Sequence, residues 1–181
     1  KFKSIKVGGL AAYVNGKITN SKATGNITIT DKVYATDIYV GGLVGSPNAM
    51  KDDKGEYTTV TFKDCWFDGE VKMTGRWARF GGGIAGVMIQ GNFEFINCLN
   101  SGTVSNERPD GAEFLGGIIG TDGNNYINCL IKDCVNIGSV TAANWNNIGA
   151  ILGSAWKKTG VFTIENTYAL DTSCVSPKGV I

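Results

Sequence analysis

The 181-residue sequence contains no histidine. That absence removes histidine general bases, Ser-His-Asp and Cys-His triads, and zinc sites of the HExxH type. Long apolar runs are missing too: no stretch approaches the roughly 20 residues that a membrane-spanning helix needs. Charge is scarce and balanced, 17 Lys plus Arg against 16 Asp plus Glu, for a formal net charge of +1 and a pI near 7.7. The lysines form no stripe, so neither nucleic acid nor an anionic membrane is an expected partner. No CxxC pair occurs among the five cysteines, and their spacing suggests neither a metal site nor a disulfide framework. No segment joins helical apolar periodicity to capping residues, which leaves strands as the expected element. The sequence opens on Lys1, without initiator Met or signal peptide, and reads as a processed form or a fragment of a longer protein.

What is present is a repeat. Phe80 to Val104 (FGGGIAGVMIQGNFEFINCLNSGTV) holds a glycine pair, an alternating strand, and an Asn-Cys step that closes on a glycine. The glycine pair recurs as GGLAA, GGLVG, GGIAG, GGIIG and GAILG, beginning at Gly8, Gly41, Gly82, Gly116 and Gly149, with steps of 33, 41, 34 and 33 residues. The Asn-Cys step recurs at Asn20, Asp64, Asn97, Asp133 and Asn166, followed by Ser21, Cys65, Cys98, Cys134 and Thr167. Three residues before that small residue stand Ile18, Phe62, Phe95, Ile131 and Ile164; five before it stand Gly16, Val60, Phe93, Cys129 and Phe162. Beyond the closing glycine come Ile27, Val71, Val104 and Val140. A period in the low thirties with one longer insertion indicates a solenoid whose loops vary in length.

Short β-rich segments punctuated by glycine predict an all-β fold, a right-handed parallel β-helix of about five repeats. One domain is expected over 1–181, with repeats at roughly 5–30, 38–73, 80–105, 114–141 and 147–173. Leu10, Leu43, Ile84, Ile118 and Ile151 are expected to stack in the core beside the Phe/Ile column. Equivalent positions stack about 4.8 Å apart, so Cys65, Cys98 and Cys134 predict a buried column of free thiols, small and apolar in behaviour. The Asn/Asp column predicts a corner in which the side chain bonds the backbone two residues on; no GGxGxDxUx calcium pattern accompanies it. The glycine pairs predict positive φ and close packing between rungs, since no helix follows GGGIAG to make a nucleotide site. Ser46 to Tyr57 reads as a polar surface loop, and the tail after Asp171 has lost the periodicity.

The glycine turn together with the NCxxxGxV step resembles the GLUG repeat, most closely in ITNSKATGNI (Ile18 to Ile27) and VGGLVG (Val40 to Gly45). The resemblance covers roughly Val7 to Asp171; Ala12 and Ala150 depart from it where glycine is expected. It implies a β-helical segment of a secreted or cell-surface bacterial protein, of the kind found in accessory regions of some IgA-specific metallopeptidases. It implies adhesion or display and no catalytic residue.

Aromatic and polar residues in the connections are the candidate ligand contacts. Arg76, Trp77 and Arg79 precede one glycine turn, and Asn144, Trp145, Asn146 and Asn147 precede another at a comparable point of the repeat. Trp stacked on a sugar ring, with Asn and Arg as hydrogen-bond partners, suits carbohydrate recognition; Trp packed over a loop is the plainer alternative. Trp156, Lys157 and Lys158 form a weaker cluster. Asp52, Asp53 and Glu56 fall in a solvated loop and supply no convergent catalytic pair. The expectation is a non-catalytic, extracellular repeat domain without cofactor or metal, with glycans or host surface and matrix proteins as candidate partners. A structural stalk and a polysaccharide-active enzyme are the competing readings.

Overall fold

The computed structural model describes residues 2–30, 35–75, 78–108, 114–123, 126–143, 147–155, 160–170 and 174–175. The chain is an all-β parallel solenoid; no helix occurs among the described residues. Its first face stacks Phe2–Gly8, Ala35–Gly41, Ala78–Gly82, Phe114–Gly116 and Asn147–Gly149; its second stacks Ala11–Val14, Val44–Pro47, Ala85–Met88, Ile119–Asp122 and Leu152–Ser154. The third face stacks Lys17–Thr19, Thr59–Lys63, Gly91–Ile96, Ile127–Lys132 and Phe162–Glu165. On the fourth, Lys22–Ile29 and Trp66–Met73 are followed by broken strands ending at Tyr168–Ala169 and Cys174–Val175. Three stacks of five strands, with the broken fourth, mark about four windings from the first rung to the last.

The register is the one the repeat predicts. Ile18, Phe62, Phe95, Ile131 and Ile164 lie over one another, as do the first glycines of the five turns. In the third face Phe93 and Phe95 point inward and are buried while Asn92, Glu94 and Ile96 point outward, the period-2 alternation of a strand with one wet face. The Phe62 and Phe95 rings stack with centroids 4.8 Å apart and planes at 4°, so the side chains repeat at the strand spacing itself.

Two corners fix the winding. At the third-to-fourth corner Asn20, Asp64, Asn97, Asp133 and Asn166 all adopt positive φ, between 45° and 55°. Asn and Asp are the non-glycine residues that enter this left-handed region most readily, which accounts for the column. The turn glycines, by contrast, do not owe their identity to positive φ. A Cβ on Gly86 would lie 2.6 Å from the Gly45 carbonyl oxygen and 2.7–2.8 Å from the Val40 backbone. Close approach of the first and second faces therefore excludes a side chain there.

In the first four turns a Cβ on the second glycine would overlap the carbonyl of the following rung, and in the second to fourth turns it would also meet a side chain reaching across from the fourth face. A Cβ on Gly83 would lie 2.5 Å from the Asn100 amide carbon, and one on Gly117 would overlap the Asn136 amide. Asn100 and Asn136 are fully buried and stacked in register. Asn100 Nδ2 donates to Asn136 Oδ1 at 2.8 Å and to the Gly102 carbonyl at 3.2 Å, while Gly102 N donates to Asn100 Oδ1 at 3.1 Å; Asn136 repeats the pattern with Gly138. The bond to the backbone two residues on thus belongs to these interior asparagines. In the corner column Asn97 instead donates to Asp64 across the rungs at 2.6 Å.

The structure corrects other expectations as well. Leu10 is 45% exposed and Ile164 52% exposed, because a terminal rung is covered from one side only; Leu43, Ile84 and Ile118 form the buried part of their column, and Ile151 is half-buried. Ser46 and Pro47 are not loop but buried second-face strand; the excursion begins at Asn48 and is pinned by an antiparallel bridge between Lys51 and Tyr57. In the tail, Cys174 pairs with Val140 and extends the closing-valine column by one rung.

Candidate functional site

The third face presents its outward residues in ladders, and toward the N-terminal ends of its strands they line a shallow, open cleft of about 220 Å³. Thr59, Asn92 and Asn128 are in register. Asn128 Nδ2 donates to Asn92 Oδ1 at 3.0 Å and to the Tyr126 hydroxyl at 2.7 Å; Asn92 Nδ2 donates to the Tyr57 carbonyl at 2.9 Å, and Asn128 Oδ1 accepts from Val161 N at 3.0 Å. Each amide plane is held by at least two partners, a preorganised polar surface. Tyr57 and Tyr126 stack with centroids 6.1 Å apart, and Lys51 lies over the Tyr57 ring. Glu94, the carboxylate among the cleft's lining residues, accepts a hydrogen bond from Thr61 Oγ1 at 3.1 Å; Leu130 and Val161 form an apolar lip.

Arg76, Trp77, Asn144, Trp145 and Asn146 fall outside the described residues, as do Trp156, Lys157 and Lys158. Arg79 belongs to the first-face strand Ala78–Gly82, and half-buried Asn147 opens the strand Asn147–Gly149, paired with Phe114. In chain order both segments follow a fourth-face strand and precede a first-face strand, Trp66–Met73 before Ala78–Gly82 and Val140–Ala142 before Asn147–Gly149. Asp52 serves its own loop: its Oδ1 accepts from Lys54 N at 2.9 Å and Glu56 N at 3.0 Å, and Asp52, Asp53 and Glu56 are exposed. Asn92, Asn128, Tyr57 and Tyr126 were not singled out in the sequence, although the equivalent repeat positions of Asn92 and Asn128 carry a readable signal.

The cysteines are free and buried. The Cys65, Cys98 and Cys134 thiols each lie 3.3–3.6 Å from two carbonyls, that of the residue two before (Lys63, Ile96 and Lys132) and one of the preceding rung (Ile18, Phe62 and Phe95); Thr167 Oγ1 donates to the Glu165 carbonyl at 2.9 Å and Ser21 Oγ to the Thr19 carbonyl at 2.8 Å. The small-residue column is therefore a column of donors, not merely small and apolar, and hydroxyl can replace thiol in it. Hydrogen bonding to the neighbouring Cys134 and Cys65 thiols, with burial, pushes the Cys98 thiol up; burial first of all pushes Cys129 up. Among the described residues no group of three or more His, Cys, Asp or Glu side chains is arranged to hold a metal ion, and no helix is long and apolar enough to cross a membrane.

Fold and surface together define a parallel β-solenoid of short repeats with side chains displayed in ladders. The family model described as the GLUG motif matches residues 4–30, so the chain carries that motif in its first rung, in support of a place among GLUG-repeat proteins; the strand register carries the same columns through the following rungs. No curated protein and no solved structure matches the chain.

Proposed function

We propose that this chain is a non-catalytic binding and display module of an extracellular, surface-associated bacterial protein, acting in adhesion through glycans or host-matrix proteins. The observation that supports it is the outward register: the third face repeats its exposed positions rung after rung on a frame whose interior polar groups Asn100 and Asn136 are already hydrogen-bonded. Such a frame holds surface side chains at fixed spacing without spending binding energy on ordering them. Arg76, Trp77, Arg79 and Asn144 to Asn147 remain the proposed contact segments of the fourth-to-first connection.

The test is a glycan and host-matrix binding screen on the 181-residue chain beside a Trp77→Ala/Trp145→Ala variant. Saturable binding by the parent chain, weakened at least about tenfold in the variant, is the expected result. Absence of binding across the whole screen would leave a structural stalk as the better reading.

A further inference from the structure

We propose that the third-face cleft is a binding site for a single neutral pyranose ring, a terminal or side-chain sugar of a larger glycan. The inference rests on the reading of the chain as a binding module but assigns it a different site from the connection segments.

Unused hydrogen-bonding capacity of the cleft, and of the Tyr126 hydroxyl bonded to its Asn128, points to the ligand. Asn92 keeps one amide N–H beyond its bond to Tyr57, and the Tyr126 hydroxyl, already accepting from Asn128, keeps its proton to donate. Asn128 Oδ1 keeps a lone pair beyond its bond from Val161 N, and one oxygen of Glu94 stays open beyond the Oε2 bonded to Thr61. Two donors and two acceptors are thus fixed on one surface. Vicinal sugar hydroxyls, each able to donate and accept, match such a set. Leu130 and Val161, the latter 64% exposed, offer apolar contact for the C–H face of the ring, and Tyr126, bonded to Asn128 at the cleft's edge, is 42% exposed.

Other ligand classes fit less well. The residues lining the cleft include Glu94 but no Lys or Arg, so phosphate, sulfate or uronate groups would meet a carboxylate without a cation. An extended peptide would need a free strand edge, and the cleft strands Gly91–Ile96 and Ile127–Lys132 are paired on both sides. A volume of about 220 Å³ accommodates one ring and lies below the usual range for drug-sized ligands.

The experiment titrates the 181-residue chain with methyl glycosides of glucose, galactose, mannose and glucuronic acid, read by protein NMR shifts. The parent chain is set beside Glu94→Gln, Tyr126→Phe and Trp77→Ala/Trp145→Ala. The first two variants keep side-chain shape, and their melting temperatures are measured in parallel. Expected is millimolar binding of at least one neutral glycoside, weakened about fivefold to tenfold by Glu94→Gln or Tyr126→Phe at unchanged melting temperature and unaffected by the tryptophan pair. Tighter binding of the glucuronide overturns the neutral class. Binding that survives both cleft variants but is lost with the tryptophans overturns the cleft and keeps the binding-module reading. No binding here, with ligands found in the wider screen, likewise overturns only the cleft; no binding in either removes both.

Discussion

Cys129 sits inward between Phe93 and Phe162 in the third-face stack, where burial raises its thiol above the ordinary range. In the unfolded chain a thiol ionises near about pH 8.5, while the folded chain keeps this one protonated beyond that value. The unfolded state then binds fewer protons than the native state, so stability falls as pH rises, by about 1.4 kcal/mol per pH unit from this group. Cys129→Val removes the effect while keeping an apolar side chain. The urea midpoint of the parent chain should therefore drop more steeply than that of Cys129→Val between about pH 8 and pH 10; parallel slopes would contradict it. Repeat alignment placed the thiols of Cys65, Cys98 and Cys134 correctly. It did not reveal them as donors to the carbonyls around the corner, because such a hydrogen bond depends on which carbonyl the left-handed Asn/Asp residue brings near. Ser21 and Thr167 in the same column were the available clue. The buried Asn100–Asn136 pair was equally hidden, since an asparagine near a glycine reads as a turn residue until the core is seen from the opposite face.

At the scale of elements, the glycine corner shows how position along the stack changes what a residue costs. Gly45, Gly86, Gly120 and Gly153 each face the backbone of the preceding rung at distances too short for a Cβ. Ala12 occupies the equivalent place in the first rung, is exposed, and has no preceding rung among the described residues. Ala150 replaces the second glycine of the last turn, where the fourth-face residue stacked on Asn136 is the small Ala169. At Ala150 the following rung's carbonyl, which a Cβ on the other second glycines would overlap, is also missing among the described residues, so both departures fall where the neighbour that demands glycine is absent or reduced. Gly86→Ala should cost about 1–3 kcal/mol through overpacking, whereas Ala12→Gly should change stability by less than about 1 kcal/mol. Thermal melts of the two variants check this, and equal shifts would show that the corner is not limited by packing. The second-face strands were the least legible element in the sequence. Val44–Pro47, Ala85–Met88 and Ile119–Asp122 are buried along their whole length, so they lack the alternation that betrays a half-wet strand such as Asn92–Ile96.

For the whole molecule, each rung rests on its neighbours, so stability should be distributed along the axis rather than held in one centre. The evidence lies in how one column changes along its length: Phe62, Phe95 and Ile131 are fully buried, Ile18 is partly buried and Ile164 is half exposed. The apolar positions are equivalent in the repeat, yet a terminal one loses contact with water from one side only. Hydrophobic stabilisation scales with area removed from water, which makes the end rungs the weakest. Native-state amide exchange should then be slowest in Gly91–Ile96 and Trp66–Met73, whose strands are flanked on both sides, and faster in Lys17–Thr19 and Phe162–Glu165 at the two ends of the third-face stack. The cleft spans the interior strand Gly91–Ile96 and its neighbour Ile127–Lys132, with its apolar lip reaching the last rung at Val161. Its Asn92–Asn128 frame should consequently stay ordered while the Val161 side of the lip opens. Exchange measured on the 181-residue chain separates this from an all-or-none solenoid: a graded profile along the axis supports additive rungs, and identical protection in all five third-face strands would mean that the stack unfolds as one unit.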